Sequence, residues 1–250
     1  MIVYKTREEL AIMNEANRIV RKTLKRLTEV IEPGVTTYDL EQTAEACLRE
    51  AGAEPAFKGY RGFPCCLCVS LNDEVVHGIP SKKRALRSGD VVSMDFGVVW
   101  KGYYGDSAVT VPVGEVSEER RRLIDVTSGS LQRGIEKVRA GGHVSDISHA
   151  VQTFVESHQF SVVRDFVGHG IGTALHEDPQ VPNYGPPGRG PRLEPGVVLA
   201  IEPMVAEKDS EVFVDGNGWT ARTRDGGYAA HFERSVAVTE NGPWILGQEG

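Results

Sequence analysis

The sequence predicts an α+β fold in which helices cover one curved sheet of mainly antiparallel strands. Three observations lead there. Two helix-like segments followed by several short β-rich runs are read twice along the chain. The β-rich runs are separated by turn signals rather than by crossover helices, which favours antiparallel neighbours. No low-complexity linker divides the two readings, so residues 1–250 are expected to form one domain built of two αβ halves. The halves share no residue-level repeat, so any duplication lies in structure alone.

The elements follow in order. From Thr6 to Glu32, Leu10, Met13, Ile19, Val20, Leu24 and Leu27 recur at helical spacing. Thr6 and Glu9 make a capping-box pattern, and Pro33-Gly34 stops the run. A second helix reads from Thr37 to Ala51 and ends at Gly52. GYRGFPCCLCVSLNDEVVHGIP then reads as strand, turn, strand, with Asn72-Asp73 in the bend. VVSMDFGVVWKGYYGDSAVTVPVG reads as a hairpin around Lys101-Gly102. The second half brings a helix from Ser117 to Arg139, stopped by Gly141-Gly142, and another from Val144 to Ser157. Continuous strands are expected at SVVRDFVGHG, VVLAIEPMVAE and AHFERSVAVTE, with a Pro/Gly-rich loop, PNYGPPGRGPRLEPG, among them.

Composition narrows the function classes. Apolar residues make up 40% and charged residues 25%, the balance of a soluble globular chain. A net charge of −7 argues against a dedicated nucleic-acid binder; the Lys82-Lys83-Arg84 run reads as a solvated loop. No stretch has the roughly 18 consecutive apolar residues of a membrane span, and the N-terminus lacks the features of a signal peptide. Cys65, Cys66 and Cys68 crowd together with no disulfide-framework spacing, so the chain is expected to be reduced and cytoplasmic, with these side chains packing or lining a pocket.

Chemistry enters with acids in apolar strands. A two-residue turn at Lys101-Gly102 sets Val99 beside Tyr104 and Gly97 beside Asp106. Asp95 and Asp106 then project from one sheet face as diagonal neighbours. Two like charges so close repel unless one is protonated or a cation lies between them. Glu202 and Glu233 also interrupt apolar runs, where a carboxylate is costly to bury unpaired. VGHGIGTALHE carries His169 and His176 seven residues apart, with Gly168 and Gly170 flanking the first. Singly, each acid is also compatible with a salt-bridged rim position. Together, four strand-borne acids and a glycine-flanked histidine suit two divalent ions of the Mn, Fe, Co or Zn kind, which activate a water at neutral pH.

In that order, Asp95, Asp106, His169, Glu202 and Glu233 resemble the dinuclear metal set of the methionine aminopeptidases. The surrounding strings VVHGIP, MDFG, YGDSA, GHGIG, LHEDPQVPNYG, IEPM and NGWT fit as well, from the first helix to about Val238. The resemblance implies the pita-bread fold, a pseudo-symmetric pair of αβ halves around one sheet. The short stretch between Glu202 and Glu233 leaves no room for the long helical insertion of type II. Too few residues precede Asp95 for the extra N-terminal domain usual in prolidases. A short, bacterial-style type I enzyme is therefore expected, a metal-dependent exopeptidase removing initiator methionine from nascent peptides whose next residue is small.

The resemblance also implies roles. The five residues would hold two divalent ions, Glu202 would double as proton acceptor, and His77 and His176 would act on the substrate without ligating metal. His176 would meet the scissile carbonyl and His77 the departing amine side. The methionine pocket would map to Phe57, Tyr60, Phe63, Cys68, Leu175 and Trp219. Arg61 stands where a histidine often follows the pocket tyrosine, Leu175 where phenylalanine is usual, and Phe57 where cysteine is common. The expected partners are nascent N-termini beginning with methionine, and the expected state is a monomer. Contact with the ribosome is also implied, but the segment EKDSEVFVDGNGWTARTR mixes acids into the region that would make it. Two alternatives remain at this level: a prolidase-like exopeptidase of the same fold, and a non-catalytic binding protein. The latter usually lacks one or more ligands.

Overall fold

The computed structural model describes residues 1–248. Four helices form: α1 (Arg7–Glu29), α2 (Thr37–Ala51), α3 (Glu118–Ile135) and α4 (Val144–Ser157). Thr6 and Glu9 make the expected reciprocal cap on α1; Thr36 and Asp39 do the same on α2, which ends at a left-handed Gly52. Helix α3 stops at Ile135, short of the expected Arg139. There the chain tightens into bonds three residues apart, from the Lys137 amide to the Gly134 carbonyl and from the Val138 amide to the Ile135 carbonyl, both 3.0 Å, and Val138 is fully buried in the core of the second half.

The first half centres on strand Val91–Trp100. Tyr103–Pro112 pairs along its whole length on one edge, and Leu67–Leu71 and Glu54–Pro55 share the other, all antiparallel. Helix α1 lies across this hairpin, and its apolar stripe of Val20, Leu24 and Leu27 buries against Met94 and Phe96. The strand expected to begin near Gly59 starts only at Leu67, because Tyr60–Gly62 is a single tight turn of 3-10 helix. In the second half, Gly242–Ile245, Arg234–Thr239, Val198–Ile201, Gly168–Gly170 and Glu177–Val181 form a five-stranded antiparallel sheet in that spatial order.

Three strands expected to be continuous are broken in their middles. SVVRDFVGHG divides into Ser161–Val162 and Gly168–Gly170, VVLAIEPMVAE into Val198–Ile201 and Met204–Ala206, and AHFERSVAVTE into Ala229–His231 and Arg234–Thr239. One piece of each joins the five-stranded sheet. The other three pieces make a separate three-stranded sheet, in the order Ala229–His231, Met204–Ala206, Ser161–Val162. Pro203, with no amide hydrogen to give a ladder, sits at one of these breaks. The breaks matter because Glu202 and Glu233 occupy two of them.

The halves are joined along Tyr103–Pro112. Glu233 donates its amide to the Ala108 carbonyl at 3.0 Å and accepts the Ala108 amide at 3.4 Å. The Ser235 hydroxyl donates to the Asp106 carbonyl at 3.0 Å, and that of Thr110 to the His231 carbonyl at 2.7 Å. A cluster including Met13, Phe57, Phe63, Ile171 and Leu175 packs across the seam. This architecture matches the α+β, antiparallel expectation.

Candidate active site

The hairpin register pairs Gly97 with Asp106 and Asp95 with Ala108, so the two aspartates share a face as the turn geometry requires. A Cβ on Gly97 would lie 2.8 Å from Phe57 Cε1. Glycine there lets the Phe57 ring close down beside the acids. Glu202 follows strand Val198–Ile201 directly, and Glu233 lies between Ala229–His231 and Arg234–Thr239. Because the Glu233 backbone is bonded to Ala108, the register partner of Asp95, the two halves deliver their carboxylates to the same place.

His169 lies in the middle of strand Gly168–Gly170. Its flanking glycines are extended, and what they provide is close approach. A Cβ on Gly168 would fall 2.3 Å from the Ala200 carbonyl oxygen, and one on Gly170 would fall 2.1 Å from that of Asp178. His169 Nδ1 faces the Gly170 carbonyl at 2.9 Å, and since a carbonyl only accepts, the proton is on Nδ1. Nε2 therefore presents a bare lone pair 3.4 Å from Glu202 Oε1.

The electrostatics of this cluster are unfavourable as the residues stand alone. Burial pushes the Asp95 carboxyl up to about 7. Burial first, then the charges of Asp95 and Glu202, raises Asp106 well above the carboxylate range. Glu202 is raised by burial and by Asp95; Glu233 by burial and then by Asp106, Glu202 and Asp95. Burial also holds His169 down to about 4, so it is neutral at pH 7 and supplies no compensating charge. Buried polar atoms normally have partners. Here Asp95 Oδ1, Asp106 Oδ1 and Glu233 Oε1 have none among the described residues. Donor atoms of Asp106, His169 and Glu233 lie within 4.8 Å of one another. Lone pairs facing lone pairs, with orphaned oxygens and no internal cation, fit divalent metal and little else.

A second group of such residues, Glu41, Glu45 and Cys66, is also close-set. Its chemistry is different. Both Glu41 oxygens accept backbone amides, from Cys66 at 2.8 Å and Leu67 at 2.9 Å, and Glu45 is paired with Lys58. That cluster clamps the start of strand Leu67–Leu71.

Every site residue expected from the sequence lines one cavity of 160 Å³: the acids and His169 at one end, and His77, His176, Phe57, Tyr60, Phe63, Cys68, Leu175 and Trp219 around the rest. That volume is small; pockets for drug-sized ligands are about 300–1,000 Å³. Trp219 stands edge-on to Phe63, with ring centroids 5.2 Å apart. His176, on the loop after His169, stacks on Tyr60, and its Nδ1 lies 2.9 Å from the Tyr60 hydroxyl. His77 has a left-handed backbone (φ 60) and packs edge-on to Phe166, its ring held down to about 4 by burial.

Two further residues stand at the site, Arg61, noted in the sequence as a departure beside the pocket tyrosine, and His231, which was not expected. Arg61 also lines the cavity. His231 is buried, with Nε2 3.8 Å from Glu202 Oε2 and no hydrogen-bond partner. It ends strand Ala229–His231, two residues before Glu233 in the break. In the segment expected to favour little ribosome contact, Arg222 is held by Asp73, Glu74 and Asp215, and Arg224 by Glu211. No described helix is long and apolar enough to cross a membrane.

Comparison with known proteins agrees with this geometry. Residues 11–240 match metallopeptidase family M24. The methionine aminopeptidase of Clostridium acetobutylicum is 52% identical over 246 residues, covering 98% of each chain. Methionine aminopeptidase 1 of Bacillus subtilis is likewise 52% identical, covering 98% of this chain and 99% of that one. The crystal structure of the Thermotoga maritima methionine aminopeptidase superposes with a TM-score of 0.98 at 47% identity over the full length of both chains.

Proposed function

The chain belongs to the methionine aminopeptidases of metallopeptidase family M24, and from that premise we propose how its residues carry out removal of an N-terminal methionine. Asp95, Asp106, His169, Glu202 and Glu233 would hold two divalent ions, and the mixed oxygen and nitrogen donors suit Mn, Co, Fe or Zn. The observation that carries this reading is the set of buried, partnerless carboxylate oxygens facing the bare Nε2 of His169. When bound, the ions polarise the scissile carbonyl and make a water acidic enough to attack at neutral pH.

The chain's own residues supply the rest. Glu202, whose Oε1 lies 3.4 Å from His169 Nε2, takes the proton of the attacking water. His176 is oriented by Tyr60: with the phenol donating to Nδ1, Nε2 carries the proton and donates to the carbonyl oxygen as charge develops there. His77, neutral and wedged against Phe166, meets the departing amine side. The apolar walls of Phe57, Phe63, Leu175 and Trp219, with Tyr60 and Cys68, take the unbranched thioether side chain of methionine. A small second residue is preferred, because little of the cavity remains once that side chain is in place. Residues from both halves complete one site, which supports a single catalytic domain over residues 1–250 acting as a monomer. Its substrates are nascent N-termini in the cytoplasm, where free, buried cysteines such as Cys66 persist.

The test is release of methionine from Met-Gly-Met. Chelation is expected to abolish it, and Mn or Co to restore it. Full activity after thorough chelation, or a preference for X-Pro dipeptides, would overturn the assignment.

A further inference from the structure

Arg61 is the cavity-lining residue that this chemistry does not use, and it is the sole Lys or Arg in that lining. It sits in the turn Tyr60–Gly62 with φ 48 and ψ 20, a left-handed backbone that residues other than glycine adopt reluctantly. The turn is fixed at both ends: the Gly59 amide donates to the Phe63 carbonyl at 2.8 Å, and the Phe63 amide to the Tyr60 carbonyl at 2.9 Å. The root of an exposed guanidinium is thereby held at the cavity mouth.

Its charge is uncommitted. No carboxylate pairs with Arg61 among the described residues. The neighbouring cation, Lys58, is already paired with Glu45 at 2.9 Å. The one aromatic contact, Cζ 5.4 Å from the Tyr60 ring centroid, leaves all five guanidinium donors free. Tyr60 is the residue bonded to His176, so Arg61 flanks the rim where the scissile carbonyl is held. The peptide beyond the first side chain has to leave this small cavity, and Arg61 is the cationic residue among those that line it.

We propose that Arg61 receives a carboxylate carried by the substrate beyond its small second residue, so that peptides with Asp or Glu close behind the cleaved bond are favoured. This rests on the aminopeptidase reading. A guanidinium and a carboxylate form paired hydrogen bonds at such a surface, and the attraction is screened by salt.

The experiment compares kcat/KM for amidated Met-Ala-X-Ser and Met-Ala-Ser-X peptides with X as Asp, Asn or Lys, each also made as the free acid. At low ionic strength Asp is expected to exceed Asn by about threefold and Lys by about tenfold. The gap should shrink to under about twofold in roughly 0.5 M NaCl. Arg61→Asn, which tolerates the left-handed turn, should erase the preference, Arg61→Asp should reverse it, and Lys58→Gln should leave it in place. Equal rates for all X, or a preference that survives Arg61→Asn, would overturn the proposal. A gain confined to free-acid peptides would assign Arg61 to the terminal carboxylate and overturn the side-chain reading. No methionine release from any peptide would overturn the aminopeptidase reading itself, a distinct result.

Discussion

Replacing Asp95 by asparagine distinguishes acids arranged to receive cations from acids that are ordinary buried polar groups. In chelated protein, burial raises the Asp95 carboxyl from 3.8 to about 7. The folded chain thus holds this proton more tightly than the unfolded chain does. The resulting stability is fully present below the unfolded value and is lost as pH rises through about 7. Compared with a side chain that never ionises, Asp95 at about pH 8 destabilises the fold by roughly 3 pKa units, or about 4 kcal/mol. At about pH 5 the deficit is only about 2 kcal/mol. Asparagine carries its own cost: its amide inherits a place where Asp95 Oδ1 already lacks a partner, worth about 2 kcal/mol. The chelated Asp95→Asn protein should therefore be more stable than chelated wild type by about 2 kcal/mol at about pH 8, a Tm gain of about 4–8 °C. At about pH 5 the difference should be near zero. Histidine titrations are common to both proteins, and removing the Asp95 charge also relieves Asp106, Glu202 and Glu233, which adds to the gain at about pH 8. With metal added the order should reverse, because the variant has lost a ligand. Thermal melts at both pH values, with and without metal, read all of this. A chelated variant that melts below chelated wild type at about pH 8, or a gap independent of pH, would refute the reasoning.

Three further outcomes follow from the geometry. His176→Ala should lower kcat by about 10²- to 10³-fold while bound metal, measured by elemental analysis, stays at the wild-type level; loss of both ions would instead make His176 a ligand. Gly170→Ala forces a Cβ to 2.1 Å from the Asp178 carbonyl oxygen, so strand Gly168–Gly170 must move. Denaturant unfolding should show a loss of about 3 kcal/mol, together with weakened metal binding through His169; wild-type values for both would contradict the packing described. Lys5 and Glu177 form a buried ion pair beside the loop that carries His176. Lys5→Met should cost about 3–5 kcal/mol, and Lys5→Met with Glu177→Leu should recover most of it, because the penalty is the stranded charge. A double variant no more stable than the single would count against this.

The parts that local physics controls were legible in the sequence. Thr6 with Glu9 announced the start of α1, and Gly52 the end of α2. The Lys101-Gly102 turn, both residues with positive φ, fixed the pairing that puts Asp95 and Asp106 on one face. What local pattern cannot carry is the choice of sheet. VVLAIEPMVAE and AHFERSVAVTE read as unbroken apolar strands, yet each changes sheet at its glutamate, since only tertiary pairing decides which partner each piece takes. The end of α3 was misjudged because Val138 continues the apolar pattern, while the backbone there has already tightened into bonds three residues apart. His231 was passed over because a lone histidine in an apolar strand carries no motif; its meaning comes from Glu202, which reaches it from another strand.

The most direct measurement of the central claim is anomalous scattering at the Mn, Fe, Co and Zn edges from crystals of protein purified without added metal. The account predicts two peaks among the carboxylates of Asp95, Asp106, Glu202 and Glu233, one of them beside His169 Nε2. Peaks ligated instead by His77, His176 or Cys68, or no peak among the five residues in protein that releases methionine, would contradict it.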